Sequence, residues 1–163
     1  MKTLLVMRHA KSSWKDAGMD DRDRPLNDRG KRAAPRMGQL LGEQRLYPDV
    51  VLSSTAKRAR ETAQLVSSHS GTSAEIQLLA DFYLAAPETY VATLRQQPDS
   101  FQCVMVIGHN PGLEQLVGML TGADEPFPTA ALAVVELELA SWSELHLNAA
   151  ARLVRLWLPR ELE

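Results

Sequence analysis

The sequence predicts an α/β fold: a three-layer αβα sandwich whose central sheet is mostly parallel, with antiparallel strands at its C-terminal end. Three observations carry this. Short apolar runs alternate with amphipathic stretches over the first two thirds of the chain. Several of those runs end in cationic or hydroxyl-bearing residues. The last third then changes to strict two-residue alternation, the period of a strand with one face buried.

Taken in order, TLLVM (3–7), DVVLS (49–53), EIQLL (75–79) and CVMVIG (103–108) have the length and β-branched content of short buried strands. Between them lie helical patterns. In 27–45, Ala33, Met37, Leu40 and Leu41 share one face, and Pro35 inside it is expected to remove a backbone bond and kink the helix. In 56–69, Ala59, Ala63 and Val66 do the same. A third helix starts at Pro87 and stops before Pro98. A fourth follows Asn110, with Asn110 as N-cap, Pro111 at the first helical position, and Leu113, Leu116, Val117 and Leu120 as its apolar face. Strand–helix alternation implies right-handed crossovers and a parallel sheet covered on both sides. ALAVVELEL (131–139) and RLVRLWL (152–158) add two further strands, expected to be antiparallel.

At 163 residues the chain is the length of one domain, 1–163, with a full core. A net charge of −2 leaves no polycationic surface for nucleic acid or an anionic membrane, so any anion site must be a local concentration of positive charge. One cysteine, Cys103, excludes an internal disulfide and fits a reducing compartment. The four apolar residues of MKTLLVMRH are too few for a signal-peptide core, and no apolar run reaches membrane-spanning length. A cytoplasmic protein is expected.

In open parallel sheets ligands bind beyond the carboxyl ends of the strands. Here the first strand ends in Arg8-His9. The second ends in Ser53-Ser54 and enters a helix carrying Lys57, Arg58 and Arg60, and the fourth ends in Gly108-His109-Asn110. Taken singly, each has an ordinary structural role: a satisfied histidine, solvated arginines, a serine N-cap. Their repeated arrival at one sheet edge instead points to a site for a multiply charged anion, with phosphate the obvious candidate.

Spacing excludes several phosphate chemistries. Six residues after Cys103 stands His109 rather than the arginine a cysteine phosphatase needs, and neither a Gly-rich P-loop nor a Gly-x-Ser-x-Gly elbow occurs. A zinc site at His9 and His109 is opposed by Arg8 and Arg58, and no third ligand has suitable spacing, so no metal or cofactor is expected. Histidine itself remains as the nucleophile.

RHAKSSW (8–14) resembles the Arg-His-Gly signature of the histidine phosphatase superfamily, which includes the phosphoglycerate mutases. STAKRARETA (54–63) is similar to its second motif. VIGHNPGL (106–113) is similar to the segment of its second histidine, and RPLNDRGKRAA (24–34) to its Leu-x-x-x-Gly helix start. The short length, the Arg-His-Ala variant and FPTAALAVVEL (127–137) resemble the SixA-type phosphohistidine phosphatases, which act in signal transduction. The resemblance implies a phosphoglycerate mutase-like fold and attack by His9 to form a phosphohistidine intermediate that water hydrolyses. Arg8, Arg58 and His109 would hold the phosphoryl oxygens, with Ser12 as a further hydroxyl donor. Arg8 and Arg58 are expected to lower the His9 pKa, and His109 would help most if protonated.

Relatives carry an acid after the third strand; Asp81 and Glu88 are the residues available here, Asp81 the better placed. Without a strong acid, alkoxide would leave slowly, whereas imidazole, of reference pKa about 6.5, leaves more easily. About twenty residues separate the third strand from Cys103, enough for one helix and no lid. The charged loop 15–25 is expected to be solvated. The expected substrate is a histidine-phosphorylated protein, for example a phosphotransfer domain. A small phosphate ester is the alternative, and a non-catalytic phospho-ligand module the more distant one.

Overall fold

The computed structural model describes residues 1–162. Six strands form one sheet: β1 (Lys2–Arg8), β2 (Val50–Ser54), β3 (Glu75–Leu79), β4 (Cys103–Gly108), β5 (Leu132–Leu137) and β6 (Ala151–Trp157). Four helices connect them: α1 (Asp28–Glu43), α2 (Lys57–Ser70), α3 (Pro87–Leu94) and α4 (Gly112–Thr121). The spatial order is β3-β2-β4-β1-β5-β6. The first four of these run parallel, while β5 and β6 are antiparallel additions, as the change of sequence period predicted.

Side chains alternate across the pleat of β1 and so divide between two cores. Leu4 and Val6 join Val104, Val106, Leu113, Leu116 and Trp142 on the α3/α4 side. Leu5 and Met7 join Met105, Ile107, Ala34, Met37, Ala59 and Ala63 on the α1/α2 side. Each fully buried leucine or valine contributes roughly 1.5–3 kcal/mol. This two-faced burial holds the strand ends at a fixed level, and the site is built on those ends.

Three local expectations are corrected. EIQLL is a strand but not a buried one: β3 is the sheet edge, pairs only with β2, and leaves its residues exposed or half-buried. Asn110 is not the N-cap of α4; Pro111 occupies that position, while Asn110 Oδ1 still accepts the Glu114 N–H at 3.2 Å. In α1 (Asp28–Glu43), which has Pro35 inside it, Ala34 takes the fully buried place expected of Ala33. Asn27 caps it, accepting the Gly30 N–H at 2.9 Å. Gly30 is required by close approach, since a Cβ there would lie 2.2 Å from the Lys11 carbonyl oxygen. The start of α1 thus packs directly on the loop that follows His9.

Candidate active site

Register brings the two histidines together. Arg8 pairs with Gly108 on parallel neighbours β1 and β4, so His9 and His109 leave the sheet side by side, and the His9 N–H bonds to Gly108 O at 3.1 Å. Their rings lie 5.2 Å apart between centroids. Strand β2 is the other neighbour of β4, which places Ser54 within reach of His109.

His9 is buried, and its Nδ1 lies 2.7 Å from the Ala10 carbonyl oxygen. A carbonyl can only accept, so Nδ1 carries the proton and Nε2 presents its lone pair. Arg58 Nε–H approaches that nitrogen at 3.4 Å. Burial pushes the His9 pKa down to about 3; the charges of His109, Arg58 and Arg8 add to this in smaller measure, and the Ala10 carbonyl opposes it. The expected depression is therefore present, with desolvation rather than the arginines as its main cause.

His109 is equally buried and is lowered to about 4, again by burial first and Arg58 second. It is neutral at physiological pH in this site, contrary to the protonated form expected to help most. Its Nε2 meets Ser54 Oγ at 2.8 Å, and Ser54 Oγ already accepts the Ala56 N–H at 3.2 Å. We assign the Ser54 proton to His109 Nε2, which puts an N–H on Nδ1, a buried atom with no partner in the protein. Such an orphan donor needs an acceptor, and a phosphoryl oxygen is one. The His109 main chain is fixed in turn by its N–H on Tyr90 Oη at 3.3 Å. Gly108 makes room for that tyrosine: a Cβ there would stand 2.2 Å from its hydroxyl.

Arg58 is buried on the first turn of α2. Besides His9, it donates from Nη1 to the Asp21 main-chain oxygen at 2.7 Å and from Nη2 to Asp21 Oδ2 at 3.0 Å. Three of its five N–H groups are thereby used and two remain. Arg8 is half-buried, donating from Nη1 to Phe127 O at 3.3 Å while its buried Nε has no partner. Beside it opens a recess of about 420 Å³ that also touches Asn110, Glu114 and Phe127. Thr62 ties α2 to the signature loop by accepting the Ala10 N–H at 3.0 Å and donating to Arg58 O at 2.7 Å.

Ser12 is buried and accepts from Arg24 Nη1 at 2.7 Å, with its own hydroxyl proton still to give. Asp81 and Glu88 are exposed, and among the described residues neither makes a side-chain hydrogen bond or ion pair. Loop 15–25 is not a merely solvated loop: from it, Asp21 accepts from Arg58, from Arg24 Nε at 3.0 Å and from the Tyr83 hydroxyl. Tyr83 stands edge-on to His109 at 5.4 Å, and Arg22 lies over the Tyr83 ring at 4.4 Å. Asp21, Thr62, Tyr83 and Tyr90 were not singled out from sequence. Thr62 alone had a signal, its place inside STAKRARETA.

Two neutral imidazoles, one with a free lone pair and one with an orphan N–H, converge with two arginines that keep unused donors. That arrangement can receive a phosphoryl group and supply a nucleophile for it. Among the described residues no group of three or more His, Cys, Asp or Glu could hold a metal ion.

Comparison with known proteins gives the class. The model of the histidine phosphatase superfamily (branch 1) matches residues 4–83. An uncharacterised protein of Mycobacterium tuberculosis is 35% identical over 165 residues, covering 94% of this chain and all of its own length. A structure from Agrobacterium tumefaciens, provisionally assigned as the phosphohistidine phosphatase SixA, is 32% identical with a TM-score of 0.84, over 97% of this chain and 98% of that one. A second with the same provisional assignment, from Nakamurella multipartitia, is 28% identical with a TM-score of 0.85, over 97% and 96%. The chain belongs to the histidine phosphatase superfamily and has its phosphoglycerate mutase-like, SixA-type αβα fold. It is a phosphatase of that superfamily.

Proposed function

We propose that this phosphatase removes the phosphoryl group from phosphohistidine on another protein, with His9 as nucleophile. In this reading His9 Nε2 attacks phosphorus. Arg8, Arg58 and the His109 Nδ1–H take the three equatorial oxygens, where charge spreads in the transition state, and Ser12 adds a donor at the edge. Phospho-His9 is then hydrolysed by water. No step calls for a metal or cofactor, and a cytoplasmic setting completes the picture.

The observation that carries this reading is the state of Asp21, the carboxylate bonded to Arg58, which in turn donates to the nucleophile. Partial burial works against the charge of Asp21, yet hydrogen bonds from Tyr83, Arg24 and Arg58 outweigh it and hold the carboxyl well below the usual carboxylate range. It is ionised and has no proton to give an alkoxide. A leaving imidazole does not need one delivered to the bridging atom. Asp81 and Glu88, the acids that the ester reading names, are both exposed and make no side-chain hydrogen bond or ion pair to the site residues among the described residues.

The test compares wild type with His9→Ala on a histidine-phosphorylated carrier protein, on sugar phosphates and on p-nitrophenyl phosphate, with chelator present. We expect the phosphohistidine substrate to lead in kcat/KM by about 10²-fold or more, and His9→Ala to lose on the order of 10⁴-fold or more. Preference for the sugar phosphates would establish the ester reading instead.

A further inference from the structure

Among the described residues Asp21 is the one acidic side chain bonded to Arg58, the partner of the nucleophile, and its geometry is specific. Oδ1 accepts from Arg24 Nε, while Oδ2 accepts from Arg58 Nη2 and from Tyr83. A carboxylate offers about four lone-pair directions, so one remains free. The side chain is 39% exposed, so the carboxylate can be reached from outside. A single guanidinium separates the carboxylate from His9 Nε2.

We propose that Asp21 determines specificity by accepting the N–H on the distal ring nitrogen of the substrate phosphohistidine, holding that ring as an imidazolium while its P–N bond breaks. The inference rests on the substrate reading above. The lone pair of His9 Nε2 forms the new bond to phosphorus. The bond from phosphorus to the substrate ring breaks, and its electron pair returns to that ring. The imidazolium becomes neutral imidazole, still carrying the N–H it gave to Asp21, so no proton crosses the site. His9, phosphorylated on Nε2 and protonated on Nδ1, is now the cationic ring, its N–H held by the Ala10 carbonyl. When water attacks, the Nε2–P bond breaks, its electrons return to Nε2, and both water protons leave on dihydrogen phosphate. Two imidazoles thus exchange a phosphoryl group, each with its distal nitrogen bonded to an oxygen acceptor. An ester places developing negative charge where Asp21 is already negative, which the carboxylate opposes.

Asp21→Asn separates this role from mere support of Arg58, because the main-chain oxygen of residue 21 still accepts from Arg58 Nη1. We expect the variant to lose about 10- to 100-fold in kcat/KM on a phosphohistidine peptide, the worth of one charge-assisted hydrogen bond. On p-nitrophenyl phosphate, where only the support of Arg58 is weakened, the loss should be about tenfold smaller or less still. Equal loss on both substrates, or loss on neither, overturns the inference while leaving phosphohistidine as substrate. A wild type that turns over only p-nitrophenyl phosphate overturns both readings together. A second measurement needs no stable variant: wild type acting on N-phosphoimidazole and on its distal-N-methyl analogue, which keeps the cation but lacks the N–H. A preference of about tenfold for the N–H compound supports Asp21 as acceptor, and indifference between the two overturns it.

Discussion

The active site has two halves that are held in different ways. The strand-end half, with His9, Ser54 and His109, is fixed by register on β1, β2 and β4 and sealed from solvent. The loop half is the 13–25 segment. It carries exposed charges and reaches the site through polar contacts of one carboxylate and two arginines. Burial, helped in smaller measure by the neighbouring arginines, keeps both histidines neutral in the first half. In the second, hydrogen bonds keep Asp21 charged. A nucleophile that must stay uncharged and an anion that must stay charged are thus set by opposite environments a few ångströms apart.

Arg58 joins the halves, donating to His9 on one side and to Asp21 on the other, so its loss should have the largest effect after His9 itself. Arg58→Ala is expected to lower kcat/KM by about 10²–10³-fold. Arg58→Lys should recover little, since a point charge cannot serve His9, Asp21 and a phosphoryl group at once. Near-complete rescue by lysine in steady-state kinetics would mean that only its charge matters and that the fork is incidental.

The sealed half can be broken without touching a reacting group. Gly108→Ala puts a Cβ against the Tyr90 hydroxyl that holds the His109 N–H. We expect about 1–3 kcal/mol of destabilisation in denaturant melts, with weakened phosphate binding. Unchanged stability would show that Tyr90 can move aside freely.

Acid offers a gentler probe of the same half. Both histidines have folded pKa values depressed below the unfolded value near 6.5, to about 3 for His9 and about 4 for His109. Below pH 6.5 the unfolded chain binds protons that the folded one refuses, so stability falls with pH through the window from about 6.5 to 4. Melting temperature followed across that range should drop, and His109→Gln should flatten the drop. Added phosphate should raise the curve by binding only the folded state.

The same contrast explains what could be read from sequence. Strand cores, helix faces and the antiparallel end follow from hydrophobic period, and the two histidines were found because they close such runs. Position within the sheet was not readable: β2 and β3 have similar apolar runs, and only strand order made β3 the edge. Asp21 was missed for a related reason. It is one of five carboxylates between residues 16 and 28, and nothing in a charge run marks which member will fold back onto an arginine 37 positions away. Periodicity reports burial; a polar contact across a loop leaves no period.

The smallest expected effect lies at the outer end of the loop. Trp14 is 70% exposed, and the Arg24 guanidinium sits 3.5 Å from its ring centroid, between that ring and the acceptors Asp21 and Ser12. A cation–π contact at such a site contributes about 0.5–1 kcal/mol. Trp14→Ala should therefore leave the melting temperature nearly unchanged and raise KM by no more than about fivefold, with kcat intact, because Arg24 keeps both oxygen partners. Were kcat to fall by an order of magnitude instead, the loop would be steering the reacting groups themselves, and its division from the sealed half would be wrong.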